Sequence, residues 1–474
     1  MREGVNAAGL RKLGRLSVVI VSFICLIMMS FISSFIHPTT IALASEVDGA
    51  NSEAGSDEQA VGNGTSDAVT DRNTQSNPLA LQLRSAILIE ASTGQVLYEF
   101  NADEPWEPAS MVKMMSEYLV LEAISQGKIA WDSVVTISQR ASEIRGSGGL
   151  LAANHKYTVE DLFNQMSIYS SNDATVALAE FVATTEEAFV DMMNEKAREF
   201  GLSDDAHFSN ATGLANEYYR EHAPNTSGVN LFTARDAAII AQRLLHDHPE
   251  ILEFSSKPQE YRRTGDTSTE LYINWNRMLE SWIPLDNLYS KLYAYEGLDG
   301  LKTGHTDTAG YNFTATAERD GLRLISVVMD TADEDMRFCE TRKLLDYGFN
   351  NFEKRTVIAA KTEMEQLPEV EITRGKATKV ALVTETGLEL VMDKAHTNEM
   401  LEITAEPLPE EHLVAPIQQG DVLGQLTVKY GPHVEQTINL VAAEDVEEAG
   451  WFTLLLRAIG NFFKNIWNSI LNIF

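Results

Sequence analysis

Ser110 and Lys113 stand three residues apart at the start of a stretch whose apolar residues, Met111, Met114, Met115, Tyr118, Leu119 and Leu121, recur with helical spacing. Residues three apart on a helix share a face, so the lysine amine can reach the serine hydroxyl. A serine hydroxyl is a poor nucleophile until a neighbouring base takes its proton. A lysine can be that base when burial or nearby cations depress its pKa. Pro108 precedes the helix and Ser110 lies near its start, so free first-turn N–H groups face any negative charge that develops at Ser110. The chemistry implied is acyl transfer through a serine. Two more short motifs follow, Ser170-Ser171-Asn172 and Lys302-Thr303-Gly304. Singly, the three motifs read as a solvated helix face, a helix cap and a surface turn. Their conjunction in this order carries the chemical reading.

The elements that must hold these residues are legible in outline. Apolar runs at 86–89 and 96–98 flank Ser92-Thr93-Gly94, a hairpin signal with a glycine free to take positive φ. The helix bearing Ser110 spans 109–125, with Gly127 as its stop. Further helices are expected at 158–169, 172–181, 186–200 and 233–246, a buried strand at 324–329, and a helix over 337–347 closed by Gly348. From about Val357 short apolar segments alternate with turns, the texture of a small all-β domain. Residues 444–448 read as an acidic hinge.

Composition and the ends bound the setting. The chain has 474 residues, a net charge of −32 and 44% hydrophobic residues. That excess of acid argues against a nucleic-acid partner, which needs clustered Lys and Arg. Residues 1–44 read as a signal peptide: Arg2, Arg11, Lys12 and Arg15 precede an apolar run, and Ala42-Leu43-Ala44 offers a cleavage site. The run is also long enough to remain as an uncleaved anchor. Residues 45–77 lack large apolar groups and read as a flexible acidic linker. Cys25 leaves with the signal, so Cys339 remains alone, without a disulfide partner and expected to be a small packed residue. In 450–474 the polar residues, including Arg457 and Lys464, fill one arc of a helical wheel. Trp451, Leu455, Ile459, Phe462, Phe463, Ile466, Trp467 and Ile470 fill the broader opposite arc. Such a helix suits the membrane interface rather than a span; packing on the β-domain is the alternative.

Around the motifs, Glu107-Pro108-Ala109-Ser110-Met111-Val112-Lys113, Tyr169-Ser170-Ser171-Asn172-Asp173-Ala174 and 298–307 resemble the low-molecular-mass penicillin-binding proteins, the serine-type D-alanyl-D-alanine carboxypeptidases of peptidase family S11. Ala309-Gly310-Tyr311-Asn312 and 343–349 extend the likeness, while Val112 and Ser171 stand where Thr and Gly are frequent. The resemblance implies an α+β fold: a β-lactamase/transpeptidase-like catalytic domain over 78–354 with an antiparallel sheet flanked by helices, a β-rich domain over 355–446 and an amphipathic membrane-anchoring helix over 447–474. It implies removal of the terminal D-alanine from peptidoglycan stem peptides, inhibition by β-lactams, no cofactor and no metal. The implied roles are Ser110 as nucleophile, Lys113 as base, Ser170 as proton relay and Asn172 as orienting group. Lys302, Thr303, Gly304, His305 and Arg337 fall at the substrate-binding positions, with Arg337 and Thr303 near the substrate carboxylate and the N–H groups of Ser110 and His305 forming the oxyanion hole. His305 could act through its side chain, but the resemblance assigns only its backbone.

A serine β-lactamase is the nearest rival, yet the chain lacks a Glu-x-x-Leu-Asn segment of the kind that class A enzymes use for deacylation. A D,D-endopeptidase shares every motif, and a non-catalytic wall-peptide scaffold is the reading from another class. Export across the cytoplasmic membrane and peripheral attachment to its outer face complete the expectation. Asn210-Ala211-Thr212 fits a glycosylation pattern and is taken as chance.

Overall fold

The computed structural model describes residues 77–471, apart from 149, 220–221, 265–267, 396–400 and 432–433. The expected signal peptide and all but the last residue of the expected linker lie outside the described residues.

Strands β1 (Ser85–Glu90) and β2 (Val96–Phe100) form the first hairpin, with Gly94 at φ +75° in the turn. A single 3-10 turn, Ala109–Val112, then leads into α1 (Lys113–Ser125). Helices α2 (Val159–Ile168), α3 (Asn172–Ala183), α4 (Glu186–Phe200) and α5 (Ala234–Asp247) stand where the apolar periodicity placed them. Strands β3 (Leu298–Thr306), β4 (Gly310–Arg319) and β5 (Leu322–Thr331) complete an antiparallel sheet of order β2-β1-β5-β4-β3, and α6 (Glu334–Asn351) follows. β3 is therefore an edge strand, with one side open to a ligand.

The continuous apolar run in β5 is explained by burial on both faces. Ile325, Val327 and Met329 join Ile87 and Ile89 of β1 in a core shared with α1 to α5. Leu324 and Val328 join Ala86 and Leu88 in a second core under Phe338, Leu344 and Leu345 of α6. Each such side chain contributes about 1.5–3 kcal/mol when fully buried. α1 is enclosed all round from Lys113 to Leu121, so this helix carries a lysine and a glutamate, Lys113 and Glu117, into the interior.

Two expectations are corrected. The last helix of this layer does not stop at Gly348 but runs on to Asn351. The glycine is there for clearance: a Cβ would lie 2.5 Å from Leu324 Cδ1 and 2.9 Å from Leu88 Cδ2. Cys339 is not packed but exposed, because its position on α6 faces away from the buried Phe338 and Glu340.

The strands that follow α6 are β6 (Phe352–Ile358), β7 (Glu369–Glu371), β8 (Lys379–Thr384), β9 (Leu388–Asp393), β10 (Leu401–Pro407), β11 (Val422–Tyr430) and β12 (Val434–Ala442). They form a five-stranded sheet of order β7-β8-β12-β11-β10 and a β6–β9 pair around a separate apolar core. The 444–448 segment is no hinge in this structure. Val446 and Ile417 exchange main-chain hydrogen bonds of 2.9 and 3.0 Å, Glu448 pairs with Arg374 and Glu447 with Lys376. Helix α7 (Trp451–Leu471) follows, and Arg457 donates from both terminal nitrogens to the carbonyls of Gly375 and Lys376, each at 2.6 Å. Trp451, Phe452, Leu455, Leu456, Ile459, Phe462 and Phe463 are exposed. The β-domain thus holds α7 through Arg457 and leaves these apolar side chains uncovered. No helix among the described residues is long and apolar enough to cross a membrane.

The close fit at Gly348 yields a stability test. Leu324 and Leu88 are fully buried and have no room to swing aside. Gly348→Val should therefore cost about 3 kcal/mol, read as a lowered thermal midpoint. An unchanged midpoint would show that the α6–sheet contact is loose.

Candidate active site

Ser110 lies in the 3-10 turn rather than in α1 itself. That turn is wedged from two sides by backbone. A Cβ on Gly304 would sit 2.4 Å from Pro108 O and 3.2 Å from Met111 N, and one on Gly213 would sit 1.9 Å from Ala109 O. Only glycines let β3 and the 210–213 turn approach so closely. Ala109 takes φ +49°, a left-handed conformation that this squeeze imposes on a non-glycine residue.

Lys113 Nζ is completely buried and has three oxygen neighbours: Ser110 Oγ at 3.1 Å, Asn172 Oδ1 at 2.8 Å and Thr212 O at 2.7 Å. Asn172 Nδ2 donates to Arg145 O at 3.0 Å, which fixes its oxygen toward the lysine. A neutral amine has two N–H donors and one lone pair. Donating to the two carbonyl oxygens leaves that lone pair aimed at the Ser110 hydroxyl, the arrangement a general base requires. Burial, then the charge of Lys302, pushes the Lys113 ammonium well below its ordinary pKa.

Lys302 comes from β3 and donates to Ser170 Oγ at 2.8 Å and to Thr303 O at 3.1 Å. Burial lowers its pKa to about 8. Ser170 sits between α2 and α3 at φ +61°, which turns its hydroxyl toward Lys302 instead of capping α3. The cap reading of this motif therefore fails: Ser171, at the cap position, makes no side-chain cap.

Above these groups lies a pocket of about 240 Å³ lined by Ser110, Ser170, Thr303, Gly304, His305 and Arg337, with Ser147, Trp275, Tyr311 and Glu334 completing the wall. Every predicted site residue is brought together, Lys113, Asn172 and Lys302 lying buried beneath it. Arg337 is 3% exposed, donates from Nη2 to Glu334 at 3.0 Å and leaves Nε without a partner. Burial lowers it to about 10, so it stays cationic at neutral pH. An unsatisfied, buried guanidinium donor beside a pocket suits a carboxylate ligand. His305 stacks on Tyr311 at 3.9 Å, its Nδ1 3.0 Å from Gly310 O, so the ring is engaged away from Lys113 and Ser110.

Sequence reading missed several contributors. Thr212 acts through its carbonyl, which no residue type reveals. Its signal lay in Asn210-Ala211-Thr212, set aside as a chance glycosylation pattern. Asn210 is fully buried, and its Oδ1 accepts from Thr212 N, Thr212 Oγ1 and Gly213 N at 3.2, 3.1 and 2.8 Å. The asparagine builds the turn that points Thr212 O at Lys113. Trp275 was also missed; its indole N–H donates to Tyr169 O at 3.0 Å and fixes one pocket wall.

Comparison with known proteins agrees with this geometry. The D-alanyl-D-alanine carboxypeptidase family (peptidase S11) matches residues 71–333, and the penicillin-binding protein 5 C-terminal domain matches 352–448. The chain belongs to the D-alanyl-D-alanine carboxypeptidase family. It is 32% identical over 390 residues to D-alanyl-D-alanine carboxypeptidase DacF of Bacillus subtilis, covering 82% of this chain and 92% of that protein. It is 33% identical to DacC of Escherichia coli, over 79% of this chain and 86% of that one. Among solved structures, penicillin-binding protein 5 of Haemophilus influenzae superposes with a TM-score of 0.62 at 30% identity, over 79% of this chain and all of that one. A peptidoglycan synthesis regulatory factor (PBP3) of Streptococcus pneumoniae gives 0.66 at 30% identity, over 77% and 100%. This enzyme is accordingly a hydrolase of D-alanyl-D-alanine ends.

The wedge at Gly304 gives a direct test. Gly304→Ala must push β3 away from the Ser110 turn by more than its packing allows, and displacement of about 1 Å costs about a hundredfold in rate. D-Alanine release should fall by about that factor with the fold retained by circular dichroism. Parent-like release would mean that the turn is not held by β3.

Proposed function

We propose that this enzyme trims the terminal D-alanine from peptidoglycan stem peptides through an acyl-enzyme on Ser110. The observation that carries this reading is the placement of Lys113 Nζ 3.1 Å from Ser110 Oγ, its other two contacts being carbonyl oxygens. Lys113 takes the Ser110 proton as Oγ attacks the carbonyl between the two D-alanines. The oxyanion is met by the main-chain N–H groups of Ser110 and His305. Lys302 and Ser170, in hydrogen-bond contact, pass a proton to the departing amine. Arg337 and Thr303 hold the terminal carboxylate, and the pocket of about 240 Å³ suits a small end group. Water then hydrolyses the ester and frees the shortened stem. A β-lactam carbonyl enters the same trajectory, in keeping with the names of the penicillin-binding relatives.

Export and attachment to the outer face of the cytoplasmic membrane belong to the same reading. The sequence of residues 1–44 supports the first. The second is supported by α7, whose exposed Trp451, Leu455, Ile459, Phe462 and Phe463 offer an apolar stripe for the acyl boundary. With a net charge of −32, attachment rests on apolar burial, since an acidic body is repelled by anionic lipid.

Two outcomes follow. Penicillin should label the parent at Ser110, and Ser110→Ala should lose both labelling and D-alanine release from a diacyl-D-Ala-D-Ala peptide. Release at the parent rate by Ser110→Ala would end the acyl-enzyme reading. Separately, the chain from residue 45 should float with lipid vesicles and keep doing so in high salt, whereas the same chain without 450–474 should stay at the bottom of the gradient. Equal flotation would remove α7 as the anchor.

A further inference from the structure

Glu117 is a buried acid beneath the site for which the reaction above has no use. It lies four residues after Lys113 on α1, hence on the same face, and is 2% exposed, as deeply buried as Lys113 and Lys302. α1 packs on β3, which carries Lys302. The hydrogen-bond acceptors of both lysines are neutral oxygens: Ser110, Asn172 and Thr212 for Lys113, Ser170 and Thr303 for Lys302. Glu117 Oε1 is buried with no hydrogen-bond partner. A carboxylate oxygen in that condition is costly, and a methionine would fill the space without the cost. What the carboxylate adds is charge.

We propose that Glu117 is the buried counter-charge that keeps Lys302 cationic, while the charge so held on Lys302 and the burial of Lys113 keep Lys113 neutral. It acts through the lysines and never touches substrate. The inference rests on the reading of Lys113 as base and Lys302 as cation. The fields fit it. Lys302 on β3 is the strongest charge acting on Glu117, Lys113 on its own helix is weaker, and the Ser167 hydroxyl of α2 lies beside it. For Lys302, Glu117 is the favourable charge and Arg337 of α6 the opposing one. Lys113 also feels Glu117, then Asp173 of α3 and Glu186 of α4, but burial and the Lys302 charge outweigh all three. Burial raises Glu117 itself to about 7, so it is mostly anionic at the pH of about 8 where Lys302, with Glu117 in place, releases its proton.

The test is the pH profile of kcat/KM for D-alanine release by the full chain and by Glu117→Gln. Loss of Lys302 charge sets the alkaline limb, so Glu117→Gln should move that limb to lower pH by about one unit, and Glu117→Asp should restore most of the shift. A limb that stays in place in Glu117→Gln overturns the inference, whatever happens to the maximal rate. Should Glu117→Gln not fold, carboxyl-carbon NMR of the parent labelled at glutamate decides. A glutamate carbon whose shift moves again over the pH range of the alkaline limb, as a neighbouring charge is lost, supports the inference, and no glutamate responding there overturns it. Failure of the underlying reading is separate: it would show as a parent enzyme that penicillin does not label at Ser110.

Discussion

The structure depends on one buried amine. A charged lysine enclosed by protein costs several kcal/mol unless its charge is answered, and Lys113 has no carboxylate among its hydrogen-bond partners. It is completely buried and faces the charge of Lys302. Both conditions favour the neutral form, and the neutral form is the base. Four stretches far apart in sequence must meet at that nitrogen: the Ser110 turn, the start of α3, the 210–213 turn and β3. The sheet and the two cores serve to hold them in register. A gap of one ångström at any of the four would readmit water and return the lysine toward its ordinary charged state.

The meeting requires strain, and the strain is local. Ala109 at φ +49° and Ser170 at φ +61° are non-glycine residues in the left-handed region, both at the rim of the site. Each costs about 1–3 kcal/mol, and each persists because buried neighbours over-determine it. Met111, next to Ser110, is fully buried, with Thr314 Oγ1 3.2 Å from its sulfur. Ser171 N donates to Gln165 O at 3.0 Å, tying the Ser170 turn to the end of α2. The well-packed core thus supplies the stability that the site gives up. The reward in each case is direction: one turn aims Oγ of Ser110 into the pocket, the other aims Oγ of Ser170 at Lys302.

How much of this was legible follows from where the information sits. Periodicity placed α1 to α5 and β5 because their cores are built from side chains, and side chains are what a sequence lists. The chemistry was legible because Ser110, Lys113, Asn172 and Lys302 act through side chains at fixed spacings. Contributions from main chain were not. Thr212 acts through a carbonyl, and the glycines at 213 and 304 act by what they lack, so their meaning exists only once the neighbouring strand is in place. Gly348 misled for the same reason: within a sequence window a glycine after a helical run reads as a stop, and only the sheet beneath it reveals clearance. Cys339 misled differently. Its type favours burial on average, but on α6 the inward positions at 338 and 340 to 341 were already taken.

The two lysines of the site show how far environment outweighs residue type. Both are buried and both lose basicity by desolvation, yet the functional reading needs them in opposite states. Position relative to other charges separates them. Lys302 has Glu117 as its favourable partner and is held near 8, within reach of protonation at neutral pH. Lys113 has the charge of Lys302 set against it, ahead of the favourable charges of Glu117, Asp173 and Glu186, and is pushed well below its ordinary value. Protonating Lys302 therefore disfavours a proton on Lys113, and a neutral Lys113 makes the charge on Lys302 easier to hold. On the functional reading the two amines form a unit with one proton between them, Lys302 charged and Lys113 neutral. Such a unit has a base on the nucleophile's side and an acid beside the leaving group's relay at the same moment. A lone lysine would have to exchange protons with solvent between the two halves of the reaction.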